Sequence, residues 1–328
     1  MKKRMLGAMM LLLICVSMLF GCKKNTGTPE DNAIKEGNAE EEKVVYKFGF
    51  SAITMENPYF ITLESAIRDT IEDAGHVLIT KDPGLDQKTQ NTQIQEMIDE
   101  GIDAIFVTPV DWIAITPSLE ALKKADVKII NVDTQVKEMN YVDAYIGSDN
   151  RNAGYICGEN LIKRCPEGGK IVILECPTMN SINDRITGFE EAILDHGFEV
   201  VARKDTKGDL ETSLESATEI FASNQGIVAV MCGNDPTALG ALVAANTVKL
   251  KDTLIYGVDG SPDLKKELQK PGTLIAGTGG QSPINMGKSA AKTGINILSG
   301  EEYEKEVLEE TFFIDKENLE MYGVDGWQ

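Results

Sequence analysis

Histidine is almost missing from this chain: there are two in 328 residues, His76 and His196, each beside a glycine in a helix-to-strand turn. No Gly-x-Ser-x-Gly elbow, His-Glu-x-x-His pair or Cys-His set is present, which argues against the common hydrolase and zinc-enzyme constellations. Cysteine is scarce as well. Beyond Cys15 and Cys22 only Cys157, Cys165, Cys176 and Cys232 remain, and no Cys-x-x-Cys pair suggests zinc. Four buried or unremarkable thiols are the default; Cys176 and Cys232 each end an apolar strand pattern and could be neighbours, which makes a disulfide the alternative. Cations are outnumbered 32 to 52, giving a net charge of −20 that disfavours nucleic acid as a partner. A membrane span is missing too: the apolar run from Met5 to Phe20 is too short and too weakly flanked for one.

What that run does have is the layout of an export signal, with basic Met1 to Arg4 before it and Leu19-Phe20-Gly21-Cys22 after it. A cysteine directly after glycine at this place resembles the lipobox of bacterial lipoproteins, in which the cysteine is lipidated and becomes the new N-terminus. The resemblance makes 1–21 a lipoprotein signal peptide, Cys22 the lipidation site and the membrane a partner through the lipid. Loss of Lys2, Lys3 and Arg4 with the signal takes the charge to −23. Residues 22–43 are polar, acidic towards the end and without apolar period, and read as a flexible tether.

The folded part opens with a β-α-β unit. The apolar stretch from Tyr46 to Ile53 has strand character, and Asn57-Pro58 supplies a cap and a first-turn proline. Phe60, Leu63, Ile67, Ile71 and Ala74 then recur at helical spacing, Gly75 ends the helix and 76–80 reads as a second strand. This grammar predicts a parallel sheet whose C-terminal strand edge carries Asn57, Tyr59 and Phe60, the edge at which open α/β sheets take their ligands.

The pattern then repeats. Strands are expected at 103–108, 127–132 and 144–147, and again at 170–174, 197–202, 226–231 and 253–258. Ile129-Ile130-Asn131-Val132-Asp133 answers Leu254-Ile255-Tyr256-Gly257-Val258-Asp259, and Gly101 to Ile105 answers Gly226 to Val230. Two similar doubly wound parallel-sheet domains follow, with Asp133, Asp259, Asp111 and Asn234-Asp235 at matching strand ends. If the domains face each other, those ends line one cleft.

In order and spacing, Asn57-Pro58-Tyr59-Phe60, Val132-Asp133, Ser148-Asp149-Asn150, Arg185 with Gly188-Phe189, Asn234-Asp235, Gly257-Val258-Asp259-Gly260 and Gln281 resemble the sugar-binding proteins and lipoproteins of ABC importers, the group typified by ribose-binding protein. The resemblance covers Tyr46 to the last residue. It implies the type I periplasmic binding protein fold with a three-crossing hinge, a first domain of 44–148 plus 282–309 and a second of 149–281 plus 310–328. It also implies a monomeric, extracytoplasmic, non-enzymatic receptor without cofactor, which closes on a small neutral sugar or polyol and delivers it to a membrane permease. The alternatives are a ligand-presenting sensor subunit and, further off, a glycoside-processing enzyme.

By the same resemblance Asn57, Tyr59, Phe60, Asp133, Asn183, Arg185, Asn234, Asp259 and Gln281 contact the ligand. An aromatic ring suits the C–H face of a sugar, and a carboxylate accepts from two hydroxyls at once. The competing roles are core packing for Tyr59 and Phe60 and helix capping for Asp133, Asp259 and Asn234. Three departures point away from ribose: Thr134 stands where ribose binders tend to carry arginine, Asn183 occupies a sugar-contacting place and no aromatic lies near Gly208. Trp112 either supplies a stacking face or packs under its helix.

Overall fold

The computed structural model describes residues 44–328; the segments 1–21 and 22–43, with Cys22, lie outside the described residues. Two six-stranded sheets, each covered by helices, make up the folded chain. The first has the order β11-β5-β4-β3-β1-β2, all parallel. It is built from β1 (Lys47–Ser51), β2 (Val77–Lys81), β3 (Ala104–Val107), β4 (Lys128–Val132), β5 (Ala144–Ser148) and β11 (Glu306–Glu309). The second sheet has the order β12-β10-β9-β8-β6-β7. It holds β6 (Gly169–Glu175), β7 (Phe198–Asp205), β8 (Ile227–Cys232), β9 (Leu254–Asp259), β10 (Ile275–Gly280) and β12 (Phe312–Ile314), the last antiparallel to β10. The chain crosses between the sheets after β5, after β10 and between β11 and β12, as a three-crossing hinge requires.

The strands form where β-branched and aromatic residues cluster, and the side chains of inner strands such as β3, β5 and β10 are buried on both faces, as parallel sheets demand. Phe48 and Phe106 stack at 5.5 Å in the first lobe, with Phe50, Ile130 and Val132 beside them in the same core cluster. Val172, Leu174, Val230 and Ile255 do the same in the second. Each such side chain contributes about 1.5–3 kcal/mol on burial. Among the described residues no helix is long and apolar enough to cross a membrane, and all four described cysteines are free thiols.

Sequence pattern and structure part at β10. The glycine-rich run Gly277-Thr278-Gly279-Gly280, which is not among the expected strands, is the end of a fully buried strand. Glycine is needed there by close approach: a Cβ at Gly279 would lie 2.8 Å from the Ala153 carbonyl oxygen, and at Gly277 and Gly280 it would enter the rings of Phe313 and Phe312. A second close approach fixes α4 (Asn150–Arg164) on α5 (Asn180–Ile193), where Gly154 meets the Arg185 backbone and Gly188 meets that of Arg151. That contact sets the height of Arg185 above its sheet.

Candidate functional site

The C-terminal ends of β1, β4, β8 and β9 converge on a cavity of about 850 Å³ between the lobes. From the first lobe come Asn57, Tyr59, Phe60 and Asp133; from the second come Arg185, Asn234 and Asp259.

Asn57 caps α1 (Pro58–Asp73), its Oδ1 accepting from the Tyr59 N–H at 3.0 Å, so the helix begins at the cavity wall. Tyr59 and Phe60 meet edge to face at 5.3 Å and are nearly buried. The Tyr59 hydroxyl donates to Asp133 Oδ1 at 3.1 Å. Burial first, and the Asp133 and Asp259 charges next, push the Tyr59 hydroxyl well above its ordinary range, so it stays a donor.

Asp133 caps no helix. It follows β4 at φ +65°, and its loop is tied down by buried Asn131, which donates to the carbonyls of Val107 and Thr134 and accepts from the Val136 N–H. The Tyr145 hydroxyl donates to the Asp133 carbonyl at 2.7 Å. Asp259, at the end of β9, adopts φ +145°. Both are sparsely populated conformations for a residue with a Cβ, held by their surroundings and aimed at the cavity.

Around Asp259 the second lobe assembles a polar cluster. Gln281 Nε2 donates to Asp259 Oδ1 at 2.8 Å, and Arg185 Nη1 lies 3.4 Å from the same oxygen. The Arg185 guanidinium is otherwise held by Asn150 Oδ1 at 2.8 Å and the Gly233 carbonyl at 2.9 Å. Behind it Asp235 accepts from the Ser261 N–H and the Thr278 hydroxyl, each at 2.7 Å. Burial raises Asp133, Asp235 and Asp259 above the usual carboxylate range. Asp259 is pushed up to about 8 by burial, with Arg185 opposing and Asp235 and Asp133 adding to the rise. One guanidinium thus lies among three buried carboxyls, of which Asp133 and Asp259 line the cavity.

Two expected contacts lie elsewhere. Asn183 is not among the cavity-lining residues; its Nδ2 donates to the Pro177 carbonyl at 3.1 Å. Ser181, Ile182 and Arg185 occupy the cavity face of α5, and residue 183 falls off that stripe at 100° per residue. Gln281 does not line the cavity either and acts through Asp259. Asn234 does line it while capping α7 (Asp235–Thr247), so its Oδ1 is engaged by the Thr237 N–H and its Nδ2 by the Gly208 carbonyl. The Trp112 side chain is outside the lining; its backbone N–H donates across the cleft to the Thr178 carbonyl at 3.0 Å.

Sequence reasoning missed Trp327, which lines the cavity and meets the Tyr59 ring at 5.7 Å and 76°. It missed the Thr134–Ser181 hydroxyl pair as well, 2.6 Å apart across the cleft. Together with the Trp112–Thr178 bond these contacts hold the lobes against each other. Among the described residues no group of three or more histidine, cysteine, aspartate or glutamate side chains is disposed to hold a metal ion.

The model of the family described as periplasmic binding protein domain matches residues 48–302. The ribose import binding protein of Bacillus subtilis (strain 168) is 28% identical over 272 residues, covering 83% of this chain and 86% of that protein. An ABC transporter solute binding protein of Mycobacterium smegmatis, solved with bound glycerol, superposes with a TM-score of 0.81 at 25% identity, covering 87% of this chain and 100% of the other. One from Actinobacillus succinogenes 130z, solved with bound D-allose, gives 0.76 at 25% identity, covering 84% and 100%.

Proposed function

The chain belongs to the periplasmic binding protein family, within its sugar-binding group, and from that premise we propose that it is the lipid-anchored receptor of an ABC importer. It binds a small neutral sugar or polyol between lobes 44–148 plus 282–309 and 149–281 plus 310–328, and delivers it to a membrane permease outside the cytoplasm. The observation that carries this reading is the pairing of two buried acids from opposite lobes, Asp133 and Asp259, on one cavity with a single guanidinium. Hydroxyls that bridge the two acids favour the closed state because they gain partners from both lobes only there. The chemistry is binding rather than turnover: the acids are shielded by Tyr59, Thr134, Arg185 and Gln281 contacts that orient them as hydrogen-bonding groups.

A thermal-shift screen of the soluble part against D-ribose, D-allose, myo-inositol, glycerol and other neutral polyols tests this. A ligand at a hundred times its dissociation constant stabilises by about 2.7 kcal/mol. A shift with at least one neutral polyol is the expected result; shifts only with phosphorylated or carboxylated sugars would contradict the reading.

A further inference from the structure

The segment after α10 (Leu319–Tyr322) carries an indole into the cavity and is fastened there by a buried ammonium. Lys265, on α8 (Pro262–Leu268), is fully buried; its Nζ donates to the Gly326 carbonyl at 2.6 Å and to Gln328 Oε1 at 3.1 Å. Gln328 Nε2 in turn donates to the Tyr322 carbonyl at 2.6 Å, closing the segment into a loop around Trp327. Burying a lysine is costly unless its donors are satisfied, so Lys265 marks the 326–328 backbone as a position the fold specifies. Desolvation lowers the Lys265 pKa, in keeping with that setting.

We propose that Trp327 is a ligand-contacting wall of the cavity that favours ring-shaped polyols with an apolar C–H face, and that Lys265 is the residue that positions it. This rests on reading the chain as a polyol receptor. The indole stands on the second lobe and touches Tyr59 of the first, so it is also placed to sense closure. A ring seated on Asp133 and Asp259 turns its C–H face to a neighbouring aromatic, and no phenylalanine or tyrosine of the second lobe lines the cavity.

The sequence holds only two tryptophans, so Trp112→Phe leaves Trp327 as the sole indole reporter. Titrating this parent with myo-inositol, D-allose and open-chain sorbitol, by emission and by calorimetry, should give a saturable Trp327 emission change with the calorimetric midpoint. Trp327→Leu should weaken the cyclic ligand by about tenfold or more, and sorbitol less. Lys265→Met should abolish the emission change and raise acrylamide quenching of Trp327, with Lys265→Arg restoring part of both. Unaltered emission at saturation, parental affinity in Trp327→Leu, or equal loss for cyclic and open-chain ligands would overturn the proposal. Should Lys265→Met not fold, Trp327→Leu still decides. If no polyol binds the parent, the functional reading fails by itself, and equal acrylamide quenching in parent and Lys265→Met would overturn the seating of Trp327 separately.

Discussion

Gln281 donates to Asp259 Oδ1 at 2.8 Å from the point where the chain leaves β10 for the first lobe, so a hinge residue orients a ligand-facing acid. Its Oε1 is buried without a hydrogen-bond partner, so the side chain is imperfectly satisfied. Replacing Gln281 with leucine should therefore cost little stability. It should weaken polyol binding by about threefold to tenfold, because the Asp259 carboxyl loses one of the donors that orient it toward the ligand. Calorimetry beside thermal melting checks this; a large loss of melting temperature with unchanged affinity would show that Gln281 serves packing instead.

Asp133 and Asp259 should each matter to binding beyond any structural role. Asp133→Asn and Asp259→Asn remove charge-assisted hydrogen bonds of roughly 1.5–3 kcal/mol, which is about tenfold to a hundredfold in affinity. The control is Asp86, an exposed cap whose Oδ1 accepts from the Thr89 N–H of α2 (Gln87–Asp99). Asp86→Ala should lower the melting temperature by about 2–4 °C and leave affinity near the parent value. Titration and melting of the three variants together separate the two roles.

Binding should be pH-dependent. Burial chiefly pushes the Asp259 carboxyl up to about 8, and ligand hydroxyls should select its ionised form. Affinity should then be level above about pH 9 and fall by up to about tenfold per pH unit below 8. The unliganded fold should show the opposite trend. Its folded-state pKa lies above the ordinary carboxylate value, so Asp259's contribution to stability is full below about pH 4 and lost as pH rises through 8. Titrations and melts between pH 6 and 9 check both signs, and affinity independent of pH would contradict the assignment.

The anchor admits a separate check. Cys22→Ser should prevent lipidation and move the protein out of the detergent phase on partitioning; unchanged partitioning would contradict an anchor at Cys22.

Much of this was legible in the sequence because parallel strands are written as unbroken apolar runs. The run at 127–132 became β4 (Lys128–Val132), and the acid that follows it fell at the cleft because the parallel strands of a sheet all end at that edge. The glycine-rich β10 was not legible, since its glycines answer Phe312, Phe313 and Ala153, contacts from elements distant in sequence. Asn183 was expected in the wall by resemblance alone, whereas the helical phase of Ser181, Ile182 and Arg185 turns residue 183 away from the cavity. Trp327 left no trace, because the segment after α10 has neither period nor cap, and the buried Lys265 that holds it lies 62 residues earlier.

The central claim is that two buried acids and one arginine make a site for an uncharged polyhydroxy ligand. A paired calorimetric titration at pH 8, with a neutral sugar or polyol that scores in the thermal screen and with its phosphate monoester, measures that claim directly. The account predicts saturable one-to-one binding of the neutral compound and at least about a hundredfold weaker binding of the ester, as like charges facing Asp133 and Asp259 require. Equal or tighter binding of the ester would contradict it.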